Sequence, residues 1–224
     1  MTERGMIFNA EMVRAILAGR KTQTRRIMKV QPESNQLGLM LITDSTKHSD
    51  IGKYHWAESN ATGNHVRSKL FLCPFGAVGD RIWVRETFCP VDDTQYGGGK
   101  WVDYRATPKF EASHPAGWDC APNDAEALKW RPSIHMPRWA SRILLEITNV
   151  RVERLNAISQ ADAIAEGAPP SHPSIDCVSQ EYGFPDFSRS WFGQTWQHIY
   201  GEESWDANPW VWVIEFKRVE GGAA

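Results

Sequence analysis

The sequence predicts an α+β domain, a mixed or antiparallel sheet flanked by two or three helices and interrupted by long loop insertions. Three observations carry this expectation. Residues 81–88, 142–152 and 210–216 alternate apolar with polar positions or concentrate β-branched and aromatic side chains, as strands do. Residues 10–18, 160–166 and 191–199 follow capping residues and read as short helices. Between them, about 31–78, 89–138 and 168–190 are rich in Gly, Pro, Ser, Asn, Asp or His with little periodicity, and read as insertions. A chain of 224 residues with 42% hydrophobic content and 11 Trp supplies one real core, so a single domain over 1–224 is expected.

The elements follow in order. Asn9 caps a helix from Ala10 to Ala18 in which Met12, Val13, Ile16 and Leu17 form an apolar stripe, and Gly19 stops it. Arg20 to Met28 is a basic turn running into a strand. Within the first insertion, Leu37–Thr43 and Tyr54–Glu58 suit the strands of a peripheral hairpin. Gly79-Asp80 turns the chain into the 81–88 strand, where Ile82 and Val84 share one face, with Glu86 if the alternation continues. Trp101–Ala106 is the one strand candidate of the second insertion. The longest strand, near 142–152, leads to a helix that starts at Ser159 and ends at Gly167. Ser190 caps the helix 191–199, and Trp210–Phe216 follows Asn208-Pro209 as a closing strand packed on the first helix.

Composition narrows function. A formal net charge of −2 argues against a protein that coats duplex DNA through a broad basic surface. Neither an apolar leader nor an 18-residue apolar run is found, so a soluble, unexported, cytoplasmic protein is expected. The four cysteines, Cys73, Cys89, Cys120 and Cys177, include no C-x-x-C pair, and the seven histidines are dispersed; neither a metal site nor a disulfide scaffold is expected. Gly97-Gly98-Gly99 lacks the spacing and the Lys-Ser/Thr of a phosphate loop, and no cofactor is expected.

The chemistry concentrates in Gly19-Arg20-Lys21-Thr22-Gln23-Thr24-Arg25-Arg26, which puts an amine, two hydroxyls and three guanidinium groups within eight residues. A lysine surrounded by cations holds its proton less tightly, and such an amine can take the proton of a threonine nucleophile. In a regular strand, positions three apart face opposite sides, so Lys21 and Thr24 converge only if Lys21 still belongs to the turn. The same residues also suit a solvated basic turn at a helix C-terminus.

The run Ile16-Leu17-Ala18-Gly19-Arg20-Lys21-Thr22, followed by Thr24 and Arg26, resembles the opening motif of the ASCH superfamily, whose fold is PUA-like. It is most similar to the compact bacterial N4-acetylcytidine amidohydrolases within that superfamily. Gly79-Asp80, the unit from Ile143 to Gly167, and Val211–Lys217 follow in the same order, and the blocks together span roughly half the chain. Trp205 to Trp210 resembles a segment of longer, prophage-type ASCH proteins. The compact amidohydrolases lack the three insertions.

The resemblance implies a PUA-like mixed or antiparallel barrel and a catalytic set that falls on Lys21, Thr24 and Glu166. Lys21 would deprotonate Thr24, Thr24 would attack an acyl carbonyl, and Glu166 would protonate the departing amine, with Arg26 orienting the substrate. By itself Glu166 reads as a solvated carboxylate in the last turn of a short helix, where it opposes the helix dipole. Trp83, Trp139, Trp210 and Trp212 are core aromatics or base-stacking platforms, and Trp210 with Asn208 are the preferred pocket-lining candidates. The expected partner is a small nucleoside or single-stranded RNA. Two other classes remain open: a module that binds RNA or a modified base without chemistry, and an ASCH-type ribonuclease using Lys21, Arg26 and Glu166.

Overall fold

The computed structural model describes residues 1–60, 62–92, 94, 98–109, 129–171 and 174–219. Gly97, His114, Cys120, His172 and the middle of the second insertion lie outside them. In chain order the strands are β1 (Glu3–Ile7), β2 (Gln23–Ile27), β3 (Gly38–Leu41), β4 (Tyr54–Asn60), β5 (Gly63–Val66), β6 (Arg81–Arg85), β7 (Phe88–Asp92), β8 (Lys100–Tyr104), β9 (Leu144–Arg154) and β10 (Trp210–Arg218). The helices are α1 (Ala10–Leu17), α2 (Gln160–Ala165), α3 (Ser174–Glu181), α4 (Phe187–Tyr200) and α5 (Glu202–Asp206).

The architecture is α+β, built on a five-stranded sheet in the order β1-β6-β9-β10-β2. β1 runs parallel to β6 and the other pairs are antiparallel, so the sheet is mixed. It does not close into the expected barrel: β1 and β2 are its two edges. Where a closing ladder would lie, the guanidinium of Arg26 on β2 donates to the Ile7 carbonyl at the end of β1 (2.7 Å). A side chain stands in the gap in place of backbone pairing.

β10 organises the core. Its Trp212, Ile214 and Phe216 enter a cluster with Phe8, Val13, Ile16, Ile82 and Leu145, while Val211 and Val213 join Leu155, Ile158, Phe192 and Trp196 behind the sheet. A run apolar on both faces belongs inside a sheet rather than at its margin, and β10 lies between β9 and β2. It does pack on α1, as expected, but it closes nothing. β1 was not anticipated; its Asp80 tether explains why it orders, since that carboxylate accepts from Thr2 N (2.8 Å) and Arg4 (3.1 Å). These hydrogen bonds hold the Asp80 carboxyl well below the usual carboxylate range.

The insertions are more structured than their composition suggests. β3, β4 and β5 form a sheet of their own, and Trp56 on β4 is 1% exposed, its ring 5.3 Å from that of Trp210 and its Nε1 donating to the Val30 carbonyl. The hairpin is therefore part of the core and not peripheral. β7 and β8 pair as a second hairpin. The third insertion contains α3 and the first turn of α4, whose N-cap is Asp186, accepting from Arg189 N (2.9 Å), and not Ser190. Ser190 sits inside the helix and accepts from Gln194. Among the described residues, no helix is long and apolar enough to cross a membrane.

Candidate active site

The basic motif is placed by two glycine-terminated helices that meet. Asn9 caps α1 by accepting from Met12 N (2.8 Å). At its far end Gly19 adopts φ +72°, and the amides of Arg20 and Lys21 both return to the Ala15 carbonyl (2.9 and 3.1 Å). Lys21 therefore belongs to the turn, which is the condition for it to converge with residues of β2. Ser159 caps α2, and Glu166 occupies the C-cap position before Gly167, which has φ +108°. A Cβ on Gly167 would lie 3.1 Å from Ala15 Cβ and 3.3 Å from Lys21 Cβ, so only glycine lets the helix ends approach this closely. Thr22 N donates to the Ala165 carbonyl (2.8 Å) and stitches them together.

This contact buries an ion pair. Lys21 Nζ donates to Glu166 Oε2 (2.6 Å) and to the Glu166 carbonyl (2.8 Å), with side chains 0% and 4% exposed. The solvated carboxylate suggested by helix position is thus a buried one. Burial pushes the Lys21 ammonium below the ordinary lysine range; Glu166 opposes the shift, and Arg26 and Arg25 add to it. Lys21 gives no hydrogen bond to the Thr24 hydroxyl in this arrangement; its bonds go to Glu166.

Thr24, Arg25, Arg26 and Glu166 share a pocket of about 170 Å³ at the open edge of β2, walled by Trp191, Phe192, Trp196 and Tyr200 of α4 and floored by Ile7 and Met12. Thr24 is 2% exposed and pairs across the ladder with Ile214. Arg26 reaches Ile7, and its guanidinium lies 5.4 Å from the centre of the Phe8 ring.

Sequence reasoning did not single out Arg25. Its side chain is fully buried, with Nη2 on Glu153 Oε2 (2.9 Å) and near Asp162 Oδ2 (3.4 Å). Both carboxylates are also bonded by Arg151, which further contacts Gln23 and Glu215. Arg25 Nη1 stands 3.7 Å from Glu166 Oε1, and neither atom has a hydrogen-bond partner. The available signal was an arginine in the middle of a strand whose neighbours on both sides are functional candidates.

Asn208 and Trp210 are not brought to this pocket. Asn208, at φ +43°, accepts from Asn156 N (2.9 Å) and shapes the turn into β10. Trp210 lies four residues from Ile214, about 13 Å along the strand at ~3.3 Å per residue, stacked under Arg154 at 4.7 Å. Both are committed to joining β10 to its surroundings. Of the other tryptophans, Trp212 is core, Trp83 stacks with Arg85 at 5.3 Å, and Trp139 is exposed. Among the described residues, no group of three or more His, Cys, Asp or Glu side chains could hold a metal ion. Comparison with protein-family models, with curated proteins and with solved structures finds no match.

Proposed function

We propose that this pocket hydrolyses an N4-acyl group from cytidine or a related modified nucleoside, with Thr24 as nucleophile, as the resemblance to the ASCH superfamily implies. The observation that carries the reading is one pocket with aromatic walls that is lined by both the buried Thr24 and Glu166, the buried partner of Lys21. The mixed sheet with flanking helices is the part of the PUA-like expectation that agrees with this reading; the closed barrel is not formed.

The pair holds one transferable proton along a 2.6 Å hydrogen bond. Burial lowers the hold of the Lys21 ammonium on its proton, and the short hydrogen bond gives that proton a path to Glu166. The Lys21 amine then takes the Thr24 proton as Oγ1 attacks the acyl carbonyl, and Arg26 faces the developing oxyanion. The C–N4 bond breaks, Glu166 supplies the proton to the departing amine, and the acyl group stays on Thr24 as an ester. Water, activated by the regenerated carboxylate, hydrolyses the ester to acetate and free threonine. Trp191 and Tyr200 offer flat faces on which a base can stack.

The second reading is a module that binds a modified base or single-stranded RNA without chemistry. What favours it is that the Lys21 ammonium is bonded to Glu166 and not to Thr24. Purified protein incubated with N4-acetylcytidine, with cytidine followed by chromatography, separates the two. Turnover that is lost in Thr24→Ala, with cytidine affinity retained, supports the hydrolase. Salt-sensitive RNA affinity with no turnover in the wild type supports the binding module.

A further inference from the structure

Four buried polar atoms without a hydrogen bond belong to residues of the one pocket: Arg25 Nε, Arg25 Nη1, Arg26 Nε and Glu166 Oε1. Buried polar groups are ordinarily paired, and unpaired ones on residues that line a cavity are atoms to which a ligand or an ordered water can supply the partner. Two of these atoms are complementary and adjacent. Arg25 Nη1 is a donor, Glu166 Oε1 is an acceptor, and they stand 3.7 Å apart.

Both are held from behind. Arg25 is anchored through Nη2 by Glu153, while Glu166 is anchored through Oε2 by Lys21, so the free atom of each points away from its anchor. A rigid donor beside a rigid acceptor matches a base edge that presents an acceptor beside a donor. We propose that Arg25 is a substrate-binding and specificity-determining residue, donating to the N3 acceptor of an aminopyrimidine while Glu166 Oε1 accepts from the exocyclic N4–H.

The assignment rests on the nucleoside-hydrolase reading for the identity of the base, and it adds a role in the reaction. As the C–N4 bond breaks, the electron pair left on N4 delocalises onto N3, where the Arg25 N–H meets it. The proton lost by Thr24 reaches N4 through Lys21 and Glu166, so no further reactant is required. A uridine-type ring presents N3–H to the same arginine, a donor against a donor, and is disfavoured.

The test pairs an atom of the ligand with a residue. Calorimetric titration of wild type, Arg25→Met and Arg25→Lys with cytidine and with 3-deazacytidine, which lacks the N3 acceptor, reads the contact directly. Wild type is expected to prefer cytidine by about tenfold to a hundredfold, the range for a hydrogen bond to a charged donor, and both variants are expected to bind the two ligands equally. A purely structural arginine would weaken both ligands together and leave the preference intact, which overturns the proposal. Arg25→Lys keeps a cation beside Glu153 and Asp162, so it remains informative if Arg25→Met does not fold. A wild type with no preference, or with no affinity for cytidine, also overturns it. Cytidine binding with the expected preference but without turnover of N4-acetylcytidine sinks hydrolysis and leaves the base-edge assignment standing.

Discussion

Replacing Lys21 with methionine tests whether the buried pair is a mutually dependent unit. Both side chains are almost wholly withdrawn from water and meet at 2.6 Å. Removing one member of such a pair strands a buried charge, at a cost of about 3–5 kcal/mol. Arg25 Nη1, 3.7 Å from the other carboxylate oxygen, offers partial compensation, so the lower end, about 3 kcal/mol, is expected. For a chain of this size, that lowers the melting temperature by roughly 6–12 °C. Lys21→Met/Glu166→Gln removes both charges and keeps the volume; it should return to within about 1 kcal/mol of wild type, a coupling of at least about 2 kcal/mol. Urea unfolding of the wild type, both single variants and the double variant closes the cycle. A single variant costing less than about 1 kcal/mol, or a double variant no more stable than the worse single one, would refute the argument.

Three further outcomes follow from the same geometry. Because burial lowers the pKa of the Lys21 ammonium, a larger fraction is free amine at a given pH; kcat/KM should rise with pH and level off below the ordinary lysine value of about 10.4, and a limb at or above that value would remove Lys21 as the base. Trp56→Ala should cost about 3–5 kcal/mol, as for a large core aromatic, measured by denaturant titration; a loss under about 1 kcal/mol would return the hairpin to the periphery. Gly167→Ala meets both a positive φ and the Ala15 and Lys21 Cβ atoms; it should cost about 1–3 kcal/mol and depress turnover by displacing Lys21, and unchanged melting would show that the helix ends have room to spare.

The elements legible in advance were those with local causes. Asn9 and Ser159 cap their helices through bonds to residues three positions away, and Ile82 and Val84 alternate inward on β6. β10 was read as a strand because of its composition, yet its place between β9 and β2 depends on which faces find cover. Ser190 was expected to cap the helix by its residue type, but Asp186, four residues earlier, satisfies the same local rule and accepts from Arg189 N. Trp56 looked peripheral because nothing in its own segment announces Trp210 as a neighbour.

The candidate site divides in the same way. Lys21, Thr24 and Arg26 lie within six residues, so the sequence by itself determined that an amine, a hydroxyl and a guanidinium are concentrated in one turn; residue type suits a solvated basic turn as well as acid–base chemistry, and the resemblance singled the turn out. Glu166 is 145 residues from Lys21, and its burial follows from two helix ends meeting at Gly167. Arg25 acquires its orientation from Glu153 and Asp162 on different elements. Asn208 and Trp210 were drawn to the pocket by residue type and placed elsewhere by strand register. Capping, alternation and a short motif act over a few residues and can be read along the chain. Burial, charge pairing and the open edge of β2 are properties of surfaces brought together from distant segments, and only the tertiary structure decided them.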